Sequence, residues 1–326
     1  MTIDLSRVAI IARKEFADHL TDRTFLLVLA LFGILTVLSL ETTLTSYASM
    51  MRSYEFLLER ALERAAHADP SPLFHLPTPP PPLTGLIFQR IGDTFGIFGP
   101  LIAIAVGFNL IAGEREEDTL KVLLSRPVYR DEVITGKTLG GAAVLAFASA
   151  AVFALALGGV LVAGLTVTPH DAVFVVRCWG ATLLFLLAYF GVAVAFSAFS
   201  EDSGRALAWA MAVFILFSTV VPIVAVDVAR TVAGPAPPWP GADAPPDEVQ
   251  RYQEEMHVHA TTYGGVQNMM LALSPNGNFG VMRGALTGED LTASLGGVWQ
   301  NIVGLLAFPA IFLAVAYVRF MRIDLR

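Results

Sequence analysis

Glu114, Arg115, Glu116 and Glu117 stand in a row, and Asp118, Thr119, Lys121, Arg126, Arg130, Asp131, Glu132 and Lys137 follow within twenty residues. In their midst Leu120, Leu123 and Leu124 are spaced i, i+3, i+4, which sets them on one face of a helix. Alternating charge around a small apolar knob is chemistry for docking onto a soluble protein, with the leucines as the contact and Glu114, Arg115, Glu116, Glu117 and Arg130 as its ionic surround.

Other patterns are set against this one. Gly136-Lys137-Thr138 resembles the end of a phosphate-binding loop, but position 131, where the first glycine would stand, is Asp131. Without that cradle of backbone N–H groups the chain is not expected to hydrolyse ATP. His257-x-His259 is the only close histidine pair, with Glu254 and Glu255 beside it. A helical metal pair wants a spacing of four, and a spacing of two turns the rings about 200° apart. The pair therefore reads as surface histidines, and no metal ligand is assigned. There is no G-x-S-x-G and no H-E-x-x-H, and the single cysteine, Cys178, excludes an internal disulfide. An enzyme is not expected.

The elements that must position the charged block are membrane helices. The chain has 326 residues, 55% hydrophobic and 15% charged, with mean hydropathy +0.63. A soluble domain carries about 25% charged residues. A span needs about 20 mostly apolar residues, and six stretches qualify: 24–45, 95–112, 138–165, 178–200, 206–226 and 295–318. The fold class is an all-α integral membrane protein. None of these spans carries a mid-depth charge, which argues against an ion-driven pump. Asn109 is the one strongly polar side chain well inside a span and reads as a helix–helix hydrogen bond.

With the N-terminus inside, segments 1–23, 113–137, 201–205 and 319–326 hold 13 of the 21 Lys and Arg residues in much the shorter total length. The positive-inside rule then puts both termini and the 113–137 coupling segment in the cytoplasm. Segments 46–94 and 227–294 become two long extracytoplasmic loops. The first combines a helical pattern over 47–65 with a stiff proline run, Pro77 to Pro82. The second combines a proline-rich start, a helix over 247–259 and a turn at Ser274-Pro275-Asn276-Gly277-Asn278. Before the first span, Leu5, Val8, Ala9, Ala12, Phe16 and Leu20 share a face opposite Arg7, Lys14 and Asp18, which predicts an interfacial helix within 1–23 on the inner leaflet. That stretch is not read as a cleavable signal peptide.

The charged block also resembles a known family. Gly113-Glu114-Arg115-Glu116, Thr119-Leu120, Leu123-Leu124-Ser125, Pro127-Val128, Arg130 and Gly136-Lys137 are similar to the intracellular segment of type-2 ABC exporter permeases, in particular the subfamily with the permease of nitrous-oxide reductase and multicopper-enzyme maturation. Asp118 departs from the pattern, which has glycine before the Thr-Leu pair. The resemblance implies a permease domain over 24–326 in the cell membrane. It also implies a cytosolic ABC ATPase partner that binds ATP and magnesium, no cofactor in this chain, a second permease copy in a two-plus-two assembly, and no nucleic acid. Glu114, Arg115, Glu116, Glu117, Thr119, Leu120, Leu123, Leu124 and Arg130 would then couple to the ATPase, with the 1–23 helix as a second contact. The work done would be export. The alternatives are mechanical action on an extracytoplasmic partner and an ATP-independent scaffold or enzyme.

Overall fold

The computed structural model describes residues 4–67, 77–119, 129–164, 166–241, 244–286 and 291–322, with side chains for all of these but 64–67 and 291–297. Helices are the only regular secondary structure among the described residues, and six helical segments are long and apolar enough to cross a membrane. In chain order the helices are α1 (Leu5–Thr21), α2 (Arg23–His67), α3 (Leu83–Gly107), α4 (Ala112–Glu116), α5 (Arg130–Val162), α6 (Pro169–Phe199), α7 (Ser203–Ile215), α8 (Val221–Ala233), α9 (Pro246–Leu271), α10 (Pro275–Leu286) and α11 (Leu291–Met321).

The centre of the bundle is α6, which packs against α11, α3, α10 and α5. Its fully buried Phe185, Tyr189 and Phe190 alternate with Ala188, Gly191, Ala193 and Ala195. Small residues let backbones approach, as helix association within a membrane requires. A side chain at Gly191 would come within 3.2 Å of the Pro309 Cα on α11. Phe279 of α10 stacks on Phe185 at 4.4 Å between centroids. By contrast α2, α7–α8 and α11 keep most of their apolar surface outward, which is how lipid-facing helices differ from buried ones.

Four elements differ from the sequence reading. Segment 46–67 continues the first span without a break, so α2 has 45 residues. At 1.5 Å per residue that is about 67 Å, against a hydrocarbon core of about 30 Å, so roughly half of it lies beyond. Helix α3 starts at Leu83, directly after the prolines, twelve residues before the expected start of the second span. Segment 227–294 is mostly helical. The Ser274–Asn278 stretch in it is no turn but the start of α10: Ser274 Oγ accepts the Gly277 N–H at 3.0 Å, and Pro275 opens the helix. Ser followed by Pro marks a helix start as readily as a turn, and the burial of Phe279 and Met282 settles it in favour of the helix. Finally, α7 and α8 join through a π-helical turn, Leu216–Val220. Pro222, which cannot donate to the preceding turn, lies just beyond this widened register.

Candidate coupling site

Helix α3 ends at Gly107, and the chain re-enters helix at α4 after a short turn. Ser197, fully buried on α6, makes this break: its Oγ accepts the N–H groups of Ile111 and Ala112, both at 2.9 Å. Those donors have no intrahelical partner at a helix start. Asn109 lies in the turn and not within a helix, and its side chain sits 2.7 Å from the Ser203 hydroxyl at the head of α7, so the expected polar contact between segments is made from a turn. Glu116 accepts from the same Ser203, from the hydroxyl at 2.6 Å and the backbone N–H at 3.1 Å. Arg115 donates to the Ser200 carbonyl at 2.9 Å. Two neighbouring side chains of the charged block thus clamp the α6–α7 junction.

Glu114 turns the other way. Its Oε1 lies 2.8 Å from Lys137 Nζ on α5, and the same ammonium lies 2.5 Å from Glu15 Oε1 on α1. The Lys137 side chain is 5% exposed. One cation between two carboxylates joins α1, α4 and α5. The approach of α1 depends on Gly136 and Gly140, four apart on α5. A Cβ at Gly136 would sit 2.7 Å from the Ile11 Cβ, and one at Gly140 would sit 2.6 Å from the Glu15 Cβ and 2.8 Å from the Ala12 carbonyl oxygen. This is the small-xxx-small seam of membrane helices, with a lysine inside it. The phosphate-loop look-alike at 136–138 is accounted for by helix packing.

Further contacts fasten the rim. Glu132, 1% exposed, accepts the Tyr129 N–H at 3.1 Å as a cap of α5 and the Asp4 N–H at 3.2 Å ahead of α1. The Ser6 hydroxyl and N–H hold the Asp4 carboxyl below the usual carboxylate range. Burial pushes the His19 imidazole below its ordinary value, against the opposing pull of Glu15 and Asp22. Arg130 donates to the Met321 carbonyl at 3.2 Å, and Thr119 donates to the Glu114 carbonyl at 3.3 Å. Glu117 and Thr119 are exposed. Leu120, Leu123 and Leu124 lie outside the described residues. Asp118 has φ +55°, a left-handed turn that glycine adopts freely and aspartate tolerates. The departure from the family pattern therefore keeps the turn.

Of the expected apolar face of α1, Val8 is buried and Ala12, Phe16 and Leu20 are half-buried, and the helix also buries a residue outside that face, Glu15. Leu5 is 78% exposed and Ala9 is exposed, while Ile11 and Ala12 lie against the glycines. The apolar count had no place for Glu15, because its partner lies 122 residues away. Lys137, Glu15, Ser197 and Ser203 were missed as site residues. The available signal was a lysine flanked by glycines at the head of an apolar run, which requires an acid opposite. His257 and His259 lie within one continuous helix, α9, and the His259 Nε2 lies 3.1 Å from the Gly234 carbonyl oxygen.

A bundle of six membrane-length helices, held at one end by a charged re-entrant turn, defines a multi-pass membrane protein. The chain belongs to the ABC-2 family of transporter proteins, whose sequence profile matches residues 9–325. It is also similar to the probable ABC transporter permease protein NosY of Pseudomonas aeruginosa, with 28% identity over 212 residues. That match takes in 64% of this chain and spans 65% of the length of the relative.

Proposed function

We propose that this chain is the membrane-spanning permease subunit of an ABC transporter and that 113–137 is the segment through which a separate cytosolic ATPase moves it. The observation that carries the reading is the division of labour around α4. Glu114 is bonded to Lys137 of α5, which also holds Glu15 of α1, and Arg115 and Glu116 are bonded to the α6–α7 junction, whereas Glu117 and Thr119 turn exposed side chains outward. A push on the residues after Thr119 would reach three helices through charge-assisted bonds. The ATPase contact is then Glu117, Thr119, Leu120, Leu123 and Leu124, and Glu114–Glu116 act as the internal latch. Both termini and this segment are cytoplasmic in this reading, and a second copy completes the channel or the lever.

Export through the bundle is the main reading. Mechanical action on an extracytoplasmic partner is favoured by one observation: α2, with 45 residues, is about twice as long as a bilayer core is thick. The test of coupling has two arms. Leu123→Asp with Glu117→Lys should abolish co-purification with the cognate ABC ATPase. Glu116→Gln should leave co-purification intact and lower substrate-stimulated ATP turnover. If Leu123→Asp with Glu117→Lys leaves assembly and turnover unchanged, the segment is not the contact.

A further inference from the structure

Between α2 and α3 lies a groove of about 500 Å³. Its α2 wall is a stripe of hydroxyls, Ser39, Thr42, Thr43 and Ser46, at the i, i+3, i+4, i+7 spacing of one helix face. The stripe begins about 24 Å along α2 from Arg23, near the far edge of a bilayer core about 30 Å thick. Across from it stand Arg90, Asp93 and Thr94, and below them the wall turns apolar at Ile97 and Phe98.

The donors and acceptors define what fits. Thr42 and Thr43 already donate their hydroxyl protons to the Leu38 and Ser39 carbonyls, at 2.6 and 2.7 Å, and Thr94 donates to the Arg90 carbonyl at 3.1 Å. Those hydroxyl oxygens can therefore only accept. Asp93 Oδ1 is engaged by Arg283 of α10. Arg90 is exposed and forms no ion pair with a described residue. The groove thus offers one cationic donor, a set of acceptors and an apolar floor at the membrane edge.

We infer that this groove holds the head group of a phospholipid that carries both a phosphate and a hydrogen-bond donor, phosphatidylethanolamine being the simplest. The phosphate would pair with Arg90, the ammonium would face the hydroxyl stripe and Asp93, and an acyl chain would run past Ile97. Choline, with the same phosphate and charge but no N–H, would leave the acceptors unmatched. The inference needs only the membrane setting and is independent of ATP coupling.

The test uses the full chain with Cys178→Ala in phosphatidylcholine nanodiscs. A bimane at Ile97→Cys reads the groove, and one at Leu27→Cys, on the lipid-facing side of α2, reads bulk lipid. Acyl-spin-labelled phosphatidylethanolamine should quench position 97 with about threefold or higher apparent affinity than the choline lipid, as one net hydrogen bond gives, and should show no preference at 27. Arg90→Gln should weaken quenching at 97 about fivefold, the factor for about 1 kcal/mol per basic residue at a membrane surface. Equal affinity for the two lipids at 97, or no effect of Arg90→Gln, overturns the proposal. Displacement by soluble phosphoethanolamine would make the ligand a free solute and not a lipid. Disulfide formation between copies at position 97, with quenching absent, would make the groove an interface between copies.

Discussion

Replacing Lys137 by methionine isolates the bond that joins α1, α4 and α5. Methionine keeps the length and apolar stem of the side chain and removes the charge. Glu15 Oε1 and Glu114 Oε1 then lose an ammonium at 2.5 and 2.8 Å, at a site where Lys137 itself is 5% exposed. The second Glu114 oxygen is buried without a hydrogen-bond partner among the described residues. Breaking a buried pair by deleting one member costs about 3–5 kcal/mol, because the partner is left charged and desolvated. Two acids share this lysine, which argues for the upper half of that range. Converting the whole cluster, with Lys137→Met, Glu15→Gln and Glu114→Gln together, should restore most of the loss, because desolvation and attraction nearly cancel. The exposed Lys14–Asp18 pair, 3.6 Å apart with side chains 66% and 59% exposed, is the internal control, and Lys14→Met should cost about 0–1 kcal/mol. Reversible unfolding in mixed micelles reads all three variants. If Lys137→Met costs no more than Lys14→Met, or if the triple variant is less stable than the single, the cluster is not a buried electrostatic joint.

Gly140→Val should force α1 off α5, since its Cβ would meet the Ala12 backbone as well as Glu15; overpacking of this kind costs about 1–3 kcal/mol, and a cysteine cross-link between positions 11 and 136 should fail to form. Ser197→Ala leaves two N–H groups of α4 without their acceptor, a loss of about 1–3 kcal/mol, visible as faster amide exchange at Ile111 and Ala112. For pH, the folded His19 imidazole is held below its ordinary value of 6.5, so the unfolded chain binds the proton first. Stability should fall as pH drops from that value towards the depressed folded one and level off above it, and His19→Gln should flatten that acid-side slope in a series of melting temperatures.

The membrane class, the six spans and the place of the charged turn were readable from the chain because each is a local quantity. Twenty apolar residues in a row, a proline run or a cluster of charges needs no partner to be recognised. Even the φ > 0 turn at Asp118 was foreshadowed by glycine's place in the family pattern. What could not be read was which charges are spent inside the protein. Glu114, Arg115 and Glu116 look alike on paper, yet their partners lie on α5, after α6 and at the head of α7. Glu15 sits on what counts as a surface helix until Gly136 and Gly140 bring α1 close enough to bury it. Ser274-Pro275 opens a helix because Phe279 finds Phe185 to stack on. Periodicity reports how a segment divides between water and oil. A buried ion pair depends on the distance between two segments, and only the packed backbone sets that distance.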